Sequence, residues 1–307
     1  MPEPAHPAHV WLDGEIVPWE RTMVHVTDAP LFIHAVFEGI RAYWNPAQER
    51  LYIFRLDAHL KRLLNSIKLT RMRTTLSKEQ IAQGAVALCG ALGYREDIYI
   101  RPLAYFDPAA FQAATTSGPV HVLINTWPRP SQLDRPTGLK CCVSSWTRIV
   151  DNILPARVKC LANYRNSALA STEASFNGYD WAIMINSHGK VSDGTGSALM
   201  LVRDGVVLAP TVTDDVLESV THETLIQVCR EVLGVEAVRR EMDRTELYSA
   251  DEAFLCGTGL EVAPISSVDG YTIGNGGIGP ITQQLRRMYH DLVRGIDRRY
   301  EAWRTAV

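Results

Sequence analysis

The stretch from Trp127 to Gly138, WPRPSQLDRPTG, divides this chain of 307 residues. Its three prolines lack the backbone N–H that a continuing strand or helix needs, and most of its other residues are polar. The parts on either side are each long enough to bury a core, at roughly 100–200 residues per domain. The sequence therefore predicts a small N-terminal domain over residues 1–127, a linker over 128–138 and a larger C-terminal domain over 139–307.

Hydrophobic patterns before the linker predict short strands mixed with two helices. A hairpin is expected around Asp13-Gly14, because this pair suits the positive φ of a tight turn. The first helix is expected to begin behind a capping Asp57, because leucines and Ile67 follow at helical spacing. The second helix is expected over Lys78–Leu92, with Gly93 ending it.

Residues Ile98–Phe106 read as a strand of alternating character. Because alternate side chains of a strand share a face, Tyr99, Arg101 and Leu103 are expected on one side, with the isoleucines on the other. The pattern therefore predicts a tyrosine beside an arginine on one surface.

The part of the chain after the linker also mixes helices with strands. The patterns predict strands at Lys140–Trp146, Ala198–Arg203, Val206–Ala209 and Ala253–Cys256, a hairpin over Trp181–Ser192, and helices at Asn163–Asn177, at Thr221–Leu233 and from Pro280 onward.

Charge and composition narrow the class of function. Lysine plus arginine (31) nearly balance aspartate plus glutamate (34), so the chain has no strong field for nucleic acid or anionic lipid. No segment approaches the ~20 apolar residues of a membrane span, and the N-terminus lacks the pattern of a secretion signal. The six cysteines have no zinc-site or disulfide spacing. The sequence predicts a cytoplasmic protein with reduced thiols, without a metal, a nucleic-acid partner or a membrane.

Lys159 is the most conspicuous candidate for chemistry, because its neighbours are small and largely apolar. Desolvation lowers the pKa of a lysine toward that of a nucleophilic amine, although such a lysine can also extend to solvent. Two segments could bind a phosphate: the helix start at Ser219-Val220-Thr221, and Gly257-Thr258-Gly259 at a strand end. With Asp193 on a glycine-flanked loop, they suggest a phosphorylated aldehyde cofactor.

The segment Gly274–Gly279 has the GxGxxG spacing of a dinucleotide loop. A dinucleotide site needs a further strand with an acidic residue after the helix, and the chain ends with that helix. We interpret this segment as a surface loop.

An ordered set of motifs resembles the branched-chain amino acid aminotransferases, which are fold type IV enzymes that use pyridoxal 5'-phosphate (PLP). The matching segments are FEGIRAY at 37–43, RLDAHLKRL at 55–63, YIRPL at 99–103, VSSW at 143–146, Lys159-xxxx-Tyr164, VSDGTG at 191–196, Leu217–Thr221, CGTGLEV at 256–262 and SVDG at 267–270. The resemblance implies an α+β fold with a small N-terminal α/β domain, a larger PLP-binding domain and assembly into a homodimer or a higher homo-oligomer.

The resemblance also implies site residues, each by its place in a motif. Lys159 would hold PLP through an imine and move the substrate proton. The cofactor would be bound by Arg62, Tyr164, Asp193, Val220, Thr221 and Thr258, with Asp193 at the ring nitrogen. The substrate side would be formed by Phe32, Phe37, Tyr99, Arg101, Trp127 and Gly259. The implied reaction moves an amino group between an apolar, branched-chain L-amino acid and a 2-oxo acid such as 2-oxoglutarate.

Some positions depart from the family pattern. Asp193 stands where the family has glutamate, Ser197-Ala198 where it has Glu-Asn, His222 where it has arginine, and Phe32 where it commonly has tyrosine. These changes leave two alternatives open. One is another fold type IV enzyme, namely a D-amino acid or amine transaminase or an aminodeoxychorismate lyase-like enzyme, and the other is a non-catalytic PLP-binding protein.

Overall fold

The computed structural model describes residues 6–107 and 118–307, which divide into two units. Unit 1 comprises the described part of Met1–Pro130 together with Val158–Ala162 and Asp291–Val307. Unit 2 comprises Ser131–Arg157 and Asn163–His290.

Strands and helices are numbered here in chain order. The strands are β1 (His9–Leu12), β2 (Glu15–Pro18), β3 (Val36–Phe37), β4 (Ile40–Asn45), β5 (Arg50–Phe54), β6 (Met72–Arg73), β7 (Ile98–Phe106), β8 (Gly118–Pro128), β9 (Leu139–Val143), β10 (Trp181–Ile185), β11 (Val191–Gly194), β12 (Ala198–Arg203), β13 (Val206–Ala209), β14 (Ala237–Arg239), β15 (Glu252–Gly257), β16 (Glu261–Val268), β17 (Tyr271–Thr272) and β18 (Arg304–Ala306). The α-helices are α1 (Leu56–Leu69), α2 (Lys78–Leu92), α3 (Tyr164–Phe176), α4 (Val220–Val228), α5 (Arg244–Tyr248) and α6 (Pro280–Val293).

Unit 1 is built on one sheet, with the strand order β18-β5-β4-β7-β8-β1-β2. Strand β3 also pairs with β7, and β6 pairs with β8. The apolar face of α1, including Leu60 and Leu63, shares a buried core with α2 and with the isoleucines of β7. The helical spacing of these leucines therefore predicted the buried face correctly.

Strand β7 has the predicted limits and the predicted alternation. Ile98 and Ile100 are fully buried, whereas Tyr99, Arg101 and Leu103 are only partly buried. In the antiparallel pairing with β8, Tyr99 lies opposite Trp127 and Arg101 opposite Asn125. The register thus brings three predicted site residues to one area of the sheet.

Unit 2 contains a second sheet, with the order β11-β10-β9-β16-β15-β12-β13-β14 and β17 beside β16. Strand β9 pairs in parallel with β10 and with β16, while β15 pairs antiparallel with β12 and with β16. Antiparallel and parallel pairs in one sheet, together with the helices, confirm the predicted α+β class. Its core includes Leu199, Leu255 and Ile265.

Two local predictions were wrong. Asp57 does not cap α1, because Arg55 occupies the N-cap position with a left-handed φ of 57°, and no side chain of that residue caps the helix. The strand predicted to Trp146 ends at Val143, because the Glu173 carboxylate binds the Ser144 hydroxyl and the Ser145 amide. The backbone conformation at Arg55 and the contacts of Glu173 decide these two boundaries, and the local sequence pattern shows neither of them.

The C-terminal residues 291–307 group with unit 1 rather than with the residues that precede them. Strand β18 pairs with β5, with Arg304 opposite Phe54 and Ala306 opposite Tyr52. The predicted domain limits, 1–127, 128–138 and 139–307, stay a prediction. They differ most from the two units at the C-terminus, because β18 pairs with a strand of unit 1.

Part of the proline-containing stretch is held by buried charged side chains. In unit 1, Arg41 donates to the carbonyls of Arg129 and Pro130. In unit 2, Glu261 accepts from Ser131 and Gln132, and Arg286 donates to the carbonyls of Leu133 and Arg135. These contacts satisfy backbone groups that no strand or helix pairs.

The segment with GxGxxG spacing leads into α6, whose first amides are already occupied. The Glu252 carboxylate accepts from the amides of Ile281 and Thr282, at 3.0 and 2.7 Å. A Cβ atom at Gly279 would overlap the same carboxylate. The Glu252 side chain therefore occupies the place that an anion would take at the start of this helix.

Among the described residues, no helix combines the length and apolar character that crossing a bilayer requires.

Candidate active site

Lys159 lies in unit 1, on a short extended segment next to β3. Its carbonyl accepts from the Phe37 amide at 2.9 Å, and its amide donates to the Ser66 hydroxyl of α1 at 3.3 Å. Its Nζ lies 4.8 Å from the centroid of the Phe37 ring. The partly buried amine is thus held at both backbone atoms and packed on an aromatic face.

Arg62, predicted to bind a phosphate, projects from α1 onto a buried carboxylate. Its Nε and Nη2 donate to Oε1 and Oε2 of Glu38, at 2.6 and 2.8 Å. His59, one turn earlier on the helix, contacts Glu38 Oε2 through Nδ1 at 2.8 Å. Burial raises the pKa of Glu38, but Arg62 and His59 outweigh burial and bring this pKa down to about 2.

The predicted substrate residues of unit 1 form an aromatic group around Arg101. The Arg101 guanidinium carbon lies 5.2 Å from the Phe37 ring and 5.5 Å from the Trp127 ring. Tyr99 packs on Trp127 with ring centroids 4.9 Å apart. A guanidinium that packs against aromatic rings keeps its in-plane N–H groups available as donors to a carboxylate.

Phe32 is the exception in this group. Its ring stacks on Tyr105, with centroids 5.0 Å apart, rather than on Arg101 or Lys159. The structure therefore brings Phe37, Tyr99, Arg101, Trp127 and Lys159 together and shows Phe32 in a neighbouring aromatic pair.

In unit 2, Asp193 lies at the end of β11 and is buried. Its Oδ2 accepts from the Leu217 amide at 2.9 Å and lies 3.6 Å from Nη2 of Arg148. Arg148 is buried too, and it is fixed by the Ser167 hydroxyl and the Asp215 carbonyl. A buried carboxylate with a cation and an amide donor is stabilised in its charged form.

The predicted phosphate-binding segments of unit 2 both adopt the expected local form. Val220 and Thr221 begin α4, and the hydroxyl of the N-cap Ser219 accepts from the His222 amide at 3.3 Å. Thr258 and Gly259 follow β15 in a turn. The amides at the start of α4 provide a positive helix end for an anion.

Tyr164 is the first residue of α3 and is partly buried. Its ring lies 3.9 Å from the position that a Cβ of Gly196 would take, so it packs against the VSDGTG segment that carries Asp193. The side-chain hydroxyls of Thr195 and Ser197, in and beside the same segment, are buried without a hydrogen-bond partner. The described residues bring together no group of three or more His, Cys, Asp or Glu side chains suited to a metal ion.

Sequence reasoning missed three residues that shape these groups: Glu38, His59 and Arg148. The motifs containing Glu38 and His59 were recognised as segments, but the pattern does not show that these two side chains meet 21 positions apart. A glutamate within the apolar run VFEGI was the available signal for Glu38. Arg148 had no comparable signal in the sequence.

Comparisons with known proteins identify the family of the chain. The family described as "Amino-transferase class IV" matches residues 35–268. A "Probable branched-chain-amino-acid aminotransferase" of Aquifex aeolicus is 39% identical over 298 residues, which are 97% of this chain and 96% of that protein.

Two solved structures extend the similarity to the fold. The branched-chain amino acid aminotransferase of Thermobaculum terrenum in its PLP form has a TM-score of 0.93 and 46% identity, covering 98% of both chains. The branched-chain aminotransferase of Thermoproteus uzoniensis with norvaline has a TM-score of 0.90 and 37% identity, covering 98% of this chain and 99% of that one. This chain therefore belongs to the class IV aminotransferases.

Proposed function

We propose that this protein is a PLP-dependent aminotransferase that moves an amino group between a branched-chain or similar apolar L-amino acid and a 2-oxo acid such as 2-oxoglutarate. The observation that carries the proposal is the amine of Lys159, held on the Phe37 ring that also contacts Arg101, in a chain similar to branched-chain aminotransferases over nearly its full length.

The side chains of each unit fit PLP in their chemistry. Unit 1 offers an amine for the aldehyde, Lys159, and a guanidinium for the phosphate, Arg62. Unit 2 offers the start of α4 for the phosphate, the Asp193 carboxylate for the ring nitrogen, and unpartnered buried hydroxyls on Thr195 and Ser197. Buried hydroxyls without partners are costly in a folded protein unless another polar group satisfies them.

Bound PLP supplies an electron-withdrawing ring that makes the substrate α-proton acidic. The chain supplies the remaining functions. Lys159 Nζ would take that proton from the substrate α-carbon and return it at C4' of the cofactor, which is general acid–base work by one amine. Asp193, stabilised as a carboxylate by Arg148 and the Leu217 amide, keeps a proton on the ring nitrogen. Tyr164, Val220, Thr221 and Thr258 complete the cofactor contacts.

Substrate selection would rest on the aromatic group of unit 1. Phe37 and Trp127 present apolar faces to an apolar side chain, and Arg101 and Tyr99 present polar groups to a carboxylate. Gly259 and Phe32 stay predictions for the substrate side. No observation favours the D-amino acid, amine, lyase-like or non-catalytic alternatives over a branched-chain aminotransferase.

We further propose a homodimer or a higher homo-oligomer in the cytoplasm. The exposed apolar side chains of Met23, Val26 and Ile33 in unit 1 support self-association. Burial raises the pKa of the Cys89 and Cys229 thiols to about 12, which suits unreactive, reduced cysteines.

The test is the visible spectrum of the purified protein. We expect an absorbance band at about 410–420 nm, typical of PLP bound to a lysine, which Lys159→Ala abolishes. Lys190→Ala is the matched control, because Lys190 is paired with Asp243 at 2.8 Å and should leave the band unchanged.

Amino donors then identify the substrate class. Leucine, isoleucine or valine alone should convert the parent to its pyridoxamine form, which lacks the band, and 2-oxoglutarate added afterwards should accept the amino group and restore the band. An unchanged spectrum in Lys159→Ala, or conversion only by D-amino acids or amines, would contradict the proposal.

A further inference from the structure

Glu38 is a carboxylate without a role in the proposed mechanism, and its side chain is fully buried. Both of its oxygens are bound by side chains of α1: Oε1 by Arg62 Nε, and Oε2 by Arg62 Nη2 and His59 Nδ1. The amide of Gly39 adds a contact to Oε2 at 3.3 Å. Four donors stabilise this fully buried charge, because each hydrogen bond offsets part of the cost of burying it.

The charge states follow from these contacts. With its pKa near 2, Glu38 is ionised at neutral pH and can only accept hydrogen bonds. His59 must therefore carry its proton on Nδ1. Burial, opposed by Glu38 but reinforced by the charges of Arg62 and Lys159, holds the pKa of His59 below its usual value. The imidazole is thus neutral, with Nε2 as an acceptor.

The pairing also sets the direction of the Arg62 guanidinium. Glu38 occupies the edge formed by Nε and Nη2, so the planar group turns its Nη1 edge away from Glu38. His59, Arg62 and Ser66 are three and four positions apart and share one face of α1. Ser66 on that face binds the Lys159 amide, which links the guanidinium and the amine through one helix.

We propose that Glu38 is a positioning residue for the cofactor phosphate: it fixes Arg62 so that the Nη1 edge meets the phosphate, and it holds His59 in the Nδ1–H form. This inference rests on the proposed function, because Arg62 is assigned there to the phosphate of PLP.

The test compares two forms of the cofactor. PLP and pyridoxal both offer the aldehyde to Lys159, but pyridoxal has no phosphate, so only PLP depends on Arg62. In Glu38→Gln the amide nitrogen replaces one acceptor and faces a donor of Arg62 or His59. We expect titration of the apoprotein to show PLP affinity lowered roughly 10- to 100-fold, as when a residue that orients a binding side chain is replaced. Pyridoxal affinity should stay within about twofold of the parent.

Three variants separate positioning from folding. Glu38→Asp keeps the charge and should recover part of the PLP affinity. Glu38→Gln combined with Arg62→Met should bind PLP no more weakly than Arg62→Met alone. Glu252→Gln alters a buried carboxylate that caps α6, and it should lower the melting temperature without changing the ratio of PLP to pyridoxal affinity.

A second readout needs no cofactor. Nitrogen chemical shifts of labelled histidine in the apoprotein, assigned with His59→Asn, should show His59 with its proton on Nδ1 in the parent and a mixture of forms in Glu38→Gln.

The outcomes distinguish the two proposals. If the parent binds PLP but Glu38→Gln weakens PLP and pyridoxal equally, or weakens neither, Glu38 is structural and this inference is wrong. A parent with the His59 proton on Nε2 also overturns it. A parent apoprotein that binds neither compound overturns the proposed function itself.

Discussion

At the scale of single residues, two buried carboxylates of the candidate site are each paired with an arginine. Glu38 meets Arg62, and Asp193 meets Arg148. Such pairs are sensitive to the loss of one member, because the remaining charge is then buried alone. His222 shows the other solution, since burial keeps this imidazole neutral.

His222 gives a prediction for the pH dependence of stability. Burial and, to a lesser extent, the charge of Arg239 lower its pKa from 6.5 to about 3. Between pH 6.5 and about 3 the unfolded chain binds a proton at this residue and the folded chain does not. The contribution of His222 is therefore complete above pH 6.5 and is lost as the pH falls toward 3, by at most about 1.4 kcal/mol per pH unit.

Urea unfolding between pH 7 and pH 4 measures this effect as the free energy of unfolding. His222→Leu should make the loss of stability with falling pH less steep, although His59 keeps part of that slope in every variant. His25→Leu, at an exposed histidine, should follow the parent curve. Equal slopes for the parent and His222→Leu would show that His222 titrates normally in the folded protein.

Individual site residues could be predicted from the sequence where one motif carries the chemistry. The apolar surroundings of Lys159 and the shared face of Tyr99 and Arg101 follow from the pattern alone. The partners Glu38 and Arg148 could not be found this way, because a side-chain pair between distant segments leaves no local periodicity. The roles of the site residues stay predictions.

At the scale of elements, the close approach of β7 to Gly39, which lies between β3 and β4, fixes the surface on which Tyr99 lies. A Cβ atom at Gly39 would overlap the Tyr99 hydroxyl. The ring cannot yield freely, because it packs on Trp127 at 4.9 Å and lies under the Arg129 guanidinium at 5.2 Å. Gly39 therefore leaves space for a predicted substrate residue.

Gly39→Ala should displace Tyr99 and lower kcat/KM for the 2-oxo acid roughly 10- to 100-fold, because small misplacements of positioning groups are costly. Gly90→Ala is the matched control, since a Cβ there meets only Val307 at 3.8 Å. In the interior of α2 this alanine should stabilise the protein by about 0.5–1 kcal/mol and leave kcat/KM unchanged. Steady-state kinetics measures kcat/KM, and thermal melts measure stability. An unchanged kcat/KM in Gly39→Ala would show that Tyr99 does not take part in substrate binding.

Elements with a strong internal pattern were the ones predicted well. Helix α2 has the predicted limits because Ser77 and Gln80 form a capping box and Gly93 ends the helix with a φ of 63°. The start of α1 was wrong, since Arg55 is held in place by the Trp303 carbonyl, a contact 248 positions away along the chain. Long-range contacts of this kind leave no mark on the local sequence.

At the scale of the whole molecule, the stretch rich in proline is less free than its composition suggests. Arg41 holds its beginning within unit 1, and Arg286 and Glu261 hold residues 131–135 within unit 2. The prolines correctly marked a place where regular structure stops. The arginines that fix the stretch lie far from it in sequence and could not be predicted.

Arg286→Met tests this restraint. The carbonyls of Leu133 and Arg135 lose their buried donor, at a cost of about 1.5–3 kcal/mol for a charged hydrogen bond. Hydrogen exchange of the amides in residues 131–135 should accelerate roughly 10- to 100-fold, because local opening becomes easier. Arg165→Met, at an exposed arginine of α3, should leave this exchange unchanged; unaltered exchange in Arg286→Met would mean that other contacts order the stretch.

Strand β18 occupies the outer position beside β5 in the sheet of unit 1, and Val307 continues this contact through the Leu51 carbonyl. A version of the chain cut before Arg304 would leave the peptide groups of β5 open along their whole length. Open borders of this kind recruit strands from other molecules. The last few residues therefore replace the five-residue border of β5 with a strand of only three residues, and a chain without them should aggregate more readily at high concentration.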